Sequence, residues 1–232
     1  MKNRKKIVVF TGAGVSADSG ISTFRDSDGL WDKYRIEDVC TPEALARNRK
    51  TVIDFYNIRR RELLSKEPNA GHYAIRKLED HFDVEVVTQN IDGLHQAAGS
   101  KNVFELHGST LRNYCVKCGA FYDVDFIANS TGVPRCPDCG GIVKPDVVLY
   151  EEGLDDEVVS GAVQAIRRAD TLIVGGTSLV VYPAAGLLRY FRGRHLVVIN
   201  MQPTPADESA DLCIAQPIGQ VLREDVELEE KR

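Results

Sequence analysis

At 232 residues, with 43% apolar and 27% charged side chains, the chain has the composition of a folded globular protein and the length of one core carrying insertions. A net charge of -5 and a pI near 5.6 give no basic stripe, so no direct nucleic-acid partner is expected. No apolar stretch reaches the about 20 residues that cross a bilayer, and a strand pattern begins close behind Met1, so a cytoplasmic protein without a membrane partner is expected.

The first predicted element is a strand over Ile7-Val8-Val9-Phe10. Gly12-Ala13-Gly14-Val15-Ser16-Ala17 follows it and fits G-x-G-x-x-A, in which missing side chains let backbone N–H groups approach a pyrophosphate. On its own this could be a plain tight turn; directly behind a strand it reads as a dinucleotide site. An ordinary dinucleotide fold places an acidic ribose ligand about 20 residues further on, at the end of a second strand. Here that position falls in a loop, Ser22 to Trp31, and about seventy residues separate the first strand from the next. The intervening insert holds a short segment after Thr41-Pro42 and a helix from Thr51 to Leu64, stopped before Pro68.

Val84-Glu85-Val86-Val87 is the next strand, and Gln89-Asn90-Ile91-Asp92 sits at its end. A short run, Val103-Phe104-Glu105, leads into Leu106-His107-Gly108-Ser109, where His107 has the chemistry of a general base. From Gly108 to Lys144 the chain is dominated by Cys115-x-x-Cys118 and Cys136-x-x-Cys139, with 17 residues between the pairs. That spacing matches a tetrahedral site for one zinc ion, and four thiolates fill the coordination shell, so the metal is structural. Cys40 and Cys213 are left over as expected structural thiols.

A helix is expected over Asp155 to Arg168, a strand over Thr171 to Val174, helical spacing over Tyr182 to Phe191, a strand over Leu196 to Ile199, and a frayed acidic end from Glu224. Near-continuous Val/Ile runs with helices between them predict an α/β fold, a Rossmann-like doubly wound parallel sheet. Gly175-Gly176 and Asn200 mark strand ends, where such sheets bind ligands, and Asn200 is a suitable polar group for the adenosine ribose.

Taken together, Gly12 to Ser16, Gly20-Ile21-Ser22-Thr23-Phe24-Arg25, Gln89 to Asp92, His107-Gly108, the paired C-x-x-C motifs and Gly176-Thr177-Ser178 resemble the sirtuin family of NAD-dependent protein-lysine deacylases, in family order and across nearly the whole chain. The resemblance implies a main domain of residues 1–27, 75–107 and 145–232. It implies a small domain of residues 28–74 and 108–144, a helical module plus zinc ribbon, with the acyl-lysine substrate entering between the two. It assigns NAD contacts to Gly12, Ala13, Gly14, Ser16, Ile21, Phe24, Arg25, Gln89, Asn90, Ile91, Asp92, Gly176, Thr177, Ser178, Asn200, Met201, Gln202 and Ile218. Ala13, Gly14 and Ser178 would hold phosphates, Phe24 and Arg25 would close over the ribose, and Ile21, Asn90 and Asp92 would line the nicotinamide pocket. In the family's reaction the acyl oxygen attacks the anomeric carbon and nicotinamide leaves. His107 would then act as base on a ribose hydroxyl, sending the acyl group to ADP-ribose.

Tyr56 and Arg59 fall one turn apart on the Thr51 to Leu64 helix. In sirtuins that remove succinyl or malonyl groups such a pair reads the acyl carboxylate, and a guanidinium fork with a phenol suits that anion. The competing reading is a surface arginine within Arg59-Arg60-Arg61. Val147 and Val148 would offer backbone pairing to a peptide substrate. Beyond them, Glu151 stands where many relatives carry glycine, which adds a side chain and a negative charge beside the expected peptide track. A monomer is expected. An NAD-binding protein without chemistry, a zinc-ribbon nucleic-acid module and a mono-ADP-ribosyl transferase are the competing functions.

Overall fold

A computed structural model describes residues 4–21 and 33–222. The Ser22 to Trp31 loop, with Phe24 and Arg25, and the acidic end from Glu224 lie outside the described residues. In chain order the described strands are β1 (Lys6–Thr11), β2 (Asp83–Thr88), β3 (Val103–Glu105), β4 (Gly108–Cys115), β5 (Phe121–Tyr122), β6 (Val143–Val147), β7 (Thr171–Gly175), β8 (His195–Ile199) and β9 (Leu212–Ile214).

Six of them form one parallel sheet in the order β3-β2-β1-β7-β8-β9, with Val9 level with Val86 on one side and Ile173 on the other. The chain winds outward from β1 in one direction through β2 and β3, and from β7 in the other through β8 and β9. The switch point of the doubly wound sheet therefore lies between β1 and β7.

Both faces of this sheet are covered, which is why its strands read as unbroken apolar runs. Val8, Phe10, Leu172, Val174 and Val198 pack on one face against Ala162, Ala165 and Ile166 of the Asp156–Arg168 helix. Asp155 accepts from the Glu157 and Val158 amides to start that helix, and Arg167 and Arg168 close it against its dipole. On the opposite face Ile7, Val9, Val84, Val86 and Ile173 meet Ala74 and Ile75 of the Ala70–Leu78 helix, together with Ile218 and Val221. That helix starts in a reciprocal cap: the Gly71 amide donates to Asn69 Oδ1, and the Asn69 amide donates to His72 Nδ1. Leu78, partly buried, joins Ala74 and Ile75 in that contact with the parallel sheet.

The helical module is the Pro42–Arg47 and Arg49–Leu64 helices with a short Ile36–Val39 turn of helix. The longer helix begins two residues before the predicted Thr51 because Asn48 caps it, accepting from the Thr51 amide. Val39, Val52, Phe55 and Tyr56 of this module pack on Val147 and Leu149. β5, β4 and β6 form the second, antiparallel sheet, which carries the cysteine pairs.

Three expectations change. Tyr182 to Phe191 forms 3-10 helix over Ala184–Tyr190 rather than α-helix. The phosphate turn likewise enters 3-10 helix, over Ala13–Ser19. Cys40 is buried among Val39 and Phe55, but Cys213 is exposed on edge strand β9 and is no core thiol.

Candidate functional site

Parallel strands deliver their following loops to one edge of the sheet. The loops after β1, β2, β3, β7 and β8 begin at Gly12, Gln89, Leu106, Gly176 and Asn200, so nearly every predicted site residue arrives at the same edge.

At the switch point the two glycine turns touch. The Gly14 amide donates to the Gly176 carbonyl at 2.8 Å. A Cβ on Gly14 would lie 2.8 Å from Gly176 Cα, closer than side chains tolerate, so the pair must lack side chains for the turns to meet. Gln89 Nε2 reaches Thr177 Oγ1 at 2.9 Å, and the same oxygen accepts from the Leu179 amide at 3.2 Å. These bonds tie the β2 loop to the β7 loop across the β1 turn. Ile218 is a core side chain beneath Gly175. Asn200 bonds the Gln202 carbonyl at 2.8 Å, and Met201 is exposed at the sheet edge.

Beneath the turn lies a buried polar chain. Ser16 Oγ donates to Asp92 Oδ2 at 2.7 Å and accepts from Asn90 Nδ2 at 3.0 Å, while Asp92 Oδ1 accepts from the Leu94 amide at 3.0 Å. The Asn69 amide occupies His72 Nδ1, so its neutral ring carries the proton on Nε2, which faces Ser16 Oγ at 3.4 Å. His95 stacks edge-on to His72, with ring centroids 4.9 Å apart. Thr11 Oγ1 donates to Thr88 Oγ1 at 2.9 Å, so it accepts from His95 Nε2 at 3.0 Å; Thr88 Oγ1 also accepts from the Asn90 amide. The chain thus holds Asn90 from its side-chain amide and from its backbone. Burial lowers the pKa of both histidines, that of His95 to about 3, and keeps them neutral. Ile21, Ile91, Leu63 and Leu94 supply an apolar wall beside it.

His107 follows β3. A carbonyl can only accept, so the 2.8 Å contact between His107 Nδ1 and the Gln89 carbonyl fixes the proton on Nδ1 and leaves the lone pair on Nε2. Burial lowers its pKa, opposed in part by that hydrogen bond, so the ring is a neutral base at neutral pH. Gly108 turns the chain at φ +75°, where any Cβ would collide with the Asp146 carbonyl oxygen.

Val148 donates its amide to the His107 carbonyl at 3.1 Å, and Val147 is buried against the helical module. The Val148 N–H is therefore committed inside the protein, which limits what it offers to strand addition. Glu151 sits at φ +73°, a conformation that favours glycine, in a turn where Glu152 Oε2 accepts from the Leu149 amide at 2.8 Å.

Tyr56 and Arg59 are both buried, and Arg60 with them, so the surface-arginine reading of Arg59 does not hold. They do not share a partner among the bonds described: Tyr56 Oη points to Cys40 Sγ at 3.9 Å, and Arg59 Nη1 pairs with Glu62 Oε2 at 2.9 Å.

The sulfur atoms of Cys115, Cys118, Cys136 and Cys139 all lie within 4.8 Å of one another. Tetrahedral zinc with bonds of about 2.3 Å sets sulfurs about 3.8 Å apart. Cys115 lies 3.5 Å from Cys139 and Cys118 3.6 Å from Cys136, so the cluster fits the ion. Tyr122 donates to Cys136 Sγ at 3.0 Å, a bond that favours the thiolate and draws its pKa to about 6.

His72, His95, Thr11 and Thr88 were absent from the sequence reading. The signal for His72 was available in Asn69-x-x-His72, a cap with its partner three residues on. For His95 and the threonines no local pattern exists, since their partners lie across the fold.

The sequence pattern of the Sir2 family matches residues 12–183. An NAD-dependent protein deacetylase of Clostridium perfringens is 56% identical over 229 residues, covering 96% of this chain and 93% of that protein. NAD-dependent protein deacylase 2 of Pyrobaculum aerophilum is 44% identical, covering 100% of this chain and 94% of that protein. Among solved structures, a Sir2 homolog in complex with NAD superposes with a TM-score of 0.90 at 39% identity, covering 98% of this chain and 90% of the other. With a neutral base at the edge of a doubly wound sheet, a glycine turn at its switch point and a four-cysteine ribbon beside them, the chain belongs to the Sir2 family.

Proposed function

We propose that this chain is an NAD-dependent protein-lysine deacylase that removes acetyl groups and, through Tyr56 and Arg59, succinyl or malonyl groups, releasing nicotinamide and O-acyl-ADP-ribose. The observation that carries the reading is the tautomer of His107: its Nδ1 proton is held by Gln89, and Nε2 is left as the proton acceptor. In this reading His107 takes a proton from a ribose hydroxyl as the acyl group moves to ADP-ribose. Asn90 and Asp92, held rigid through Ser16, shape the nicotinamide pocket with Ile21 and exclude water from the reacting carbon.

The Gly12–Ser16 turn, with Gly176, Thr177 and Ser178, takes the pyrophosphate; Gln89, Ile91, Asn200, Met201, Gln202 and Ile218 line or support the remainder of the NAD site, and Phe24 and Arg25 complete it. The peptide runs beside Val147 and Val148, between a main domain built on the parallel sheet (residues 1–27, 75–107 and 145–232) and a small domain (28–74 and 108–144). The seams are best drawn to keep the Ala70–Leu78 helix with the former and β6 with the latter. Zinc held by the four cysteines is structural. The protein works as a cytoplasmic monomer on acylated proteins rather than nucleic acid.

The test is a panel of acetyl-, succinyl- and longer-chain acyl-lysine peptides with NAD, following nicotinamide release and peptide mass. The expected result is stoichiometric nicotinamide release with loss of the acyl mass. Gain of an ADP-ribose mass would make it a protein ADP-ribosyl transferase, and NAD binding without release would make it a binding protein.

A further inference from the structure

Glu62 lies one helical turn beyond Arg59 on the Arg49–Leu64 helix, and its Oε2 accepts from Arg59 Nη1 at 2.9 Å. This is not a loose surface pair. The two side chains are 11% and 27% exposed, against more than 70% for both members of the Arg35–Glu37 pair in the same module. A pair so far removed from water is screened little by solvent and salt, so each charge acts strongly on the other.

The guanidinium expected to read an acidic acyl group therefore already faces a carboxylate of the same chemistry. An incoming succinyl or malonyl carboxylate has to share Arg59 with Glu62 or displace it, and like charges on one fork repel. A neutral acetyl group meets no such opposition. Specificity is a difference of affinities, and a repulsive element inside a pocket sets it as surely as an attractive one.

Resting on the Tyr56–Arg59 reading above, we propose that Glu62 is a specificity-determining residue, an internal carboxylate that competes with acidic acyl groups for Arg59 and biases the enzyme toward neutral ones. Glutamine at this position keeps the length and an oxygen acceptor for Arg59 while removing the negative charge. The carboxylate that opposed an acidic acyl group at the Arg59 fork is then gone.

The experiment measures kcat/KM for succinyl- and acetyl-lysine forms of one peptide at saturating NAD, in wild type, Glu62→Gln, Arg59→Met and the double variant, each checked for folding by its thermal melt. The expected result is a rise of about tenfold or more in the succinyl-to-acetyl ratio for Glu62→Gln, abolished in the double variant. An unchanged ratio in Glu62→Gln together with a fall in Arg59→Met would overturn the role of Glu62 and leave Arg59 as the reader. No change in either variant would overturn both. A fall in the ratio for Glu62→Gln would make Glu62 an orienting partner of Arg59, not a competitor, and would also defeat the proposal. Glu62→Ala supplies the same ratio if the glutamine variant does not fold.

Discussion

Protonating His95 works against the fold, and the cost can be worked from its surroundings. The ring is 1% exposed, its Nε2–H is spent on Thr11, and its Nδ1 has no hydrogen-bond partner among the described residues. Burial first, and the neighbouring His72 second, take its pKa from 6.5 to about 3. The folded value lies below the unfolded one, so the unfolded chain binds this proton first. Stability is whole above pH 6.5 and drains as pH falls toward 3. Between pH 7 and pH 5 the linkage amounts to about 2 kcal/mol, at 1.36 kcal/mol per decade, and it approaches about 5 kcal/mol once both states are protonated. His95→Gln keeps an N–H donor for Thr11 and removes the titration. Urea unfolding of both proteins at pH 7 and pH 5, read by far-UV circular dichroism, isolates the effect, because carboxylates and cysteines titrate alike in each. The wild type should lose about 2 kcal/mol more than the variant across that interval. Parallel losses would show that His95 is not buried as a neutral ring, and the hydrogen-bond assignment through Thr11 and Thr88 would fall with it.

Two further outcomes are expected. His107→Ala should lower deacylation by about 10²–10⁴-fold with the thermal melt retained, and the acid limb of the wild-type kcat/KM profile should fall below pH 6.5, since the active ring is neutral and burial lowers its pKa; a limb centred above 6.5 would contradict that environment. Cys136→Ser should abolish the one equivalent of zinc read by metal analysis and unfold the cluster around Ile127 and Val143, because metal binding of order 10 kcal/mol is also folding energy; one zinc retained per chain would refute the four-thiolate site.

Much of this was legible in the sequence because it is local. Val/Ile runs announce strands buried on both faces, C-x-x-C pairs announce a metal, and Asp155 before an amphipathic run announces a helix start. The short edge strand β9 escaped because Leu212-Cys213-Ile214 is too brief to show a period. The 3-10 geometry of Ala13–Ser19 and Ala184–Tyr190 escaped because spacing distinguishes it poorly from α-helix. The helix at Ala70–Leu78 was hidden in the insert, although its apolar face shares a cluster with Ile7 and Val84. The histidine and threonine chain beneath the glycine turn was illegible for a deeper reason: Thr11, His72, Thr88 and His95 come together only when β1, β2 and two helices are already assembled.

His107 is anchored twice, by its ring to Gln89 at the end of β2 and by its carbonyl to Val148 just past β6. Nearby, Arg112 bridges Glu105 at 2.6 Å and Asp146 at 2.9 Å, riveting the last residue of β3 to the second sheet. His107 thus sits where the two sheets are pinned together, its ring held from the parallel sheet and its carbonyl from just past the antiparallel one, so its position is set by both at once.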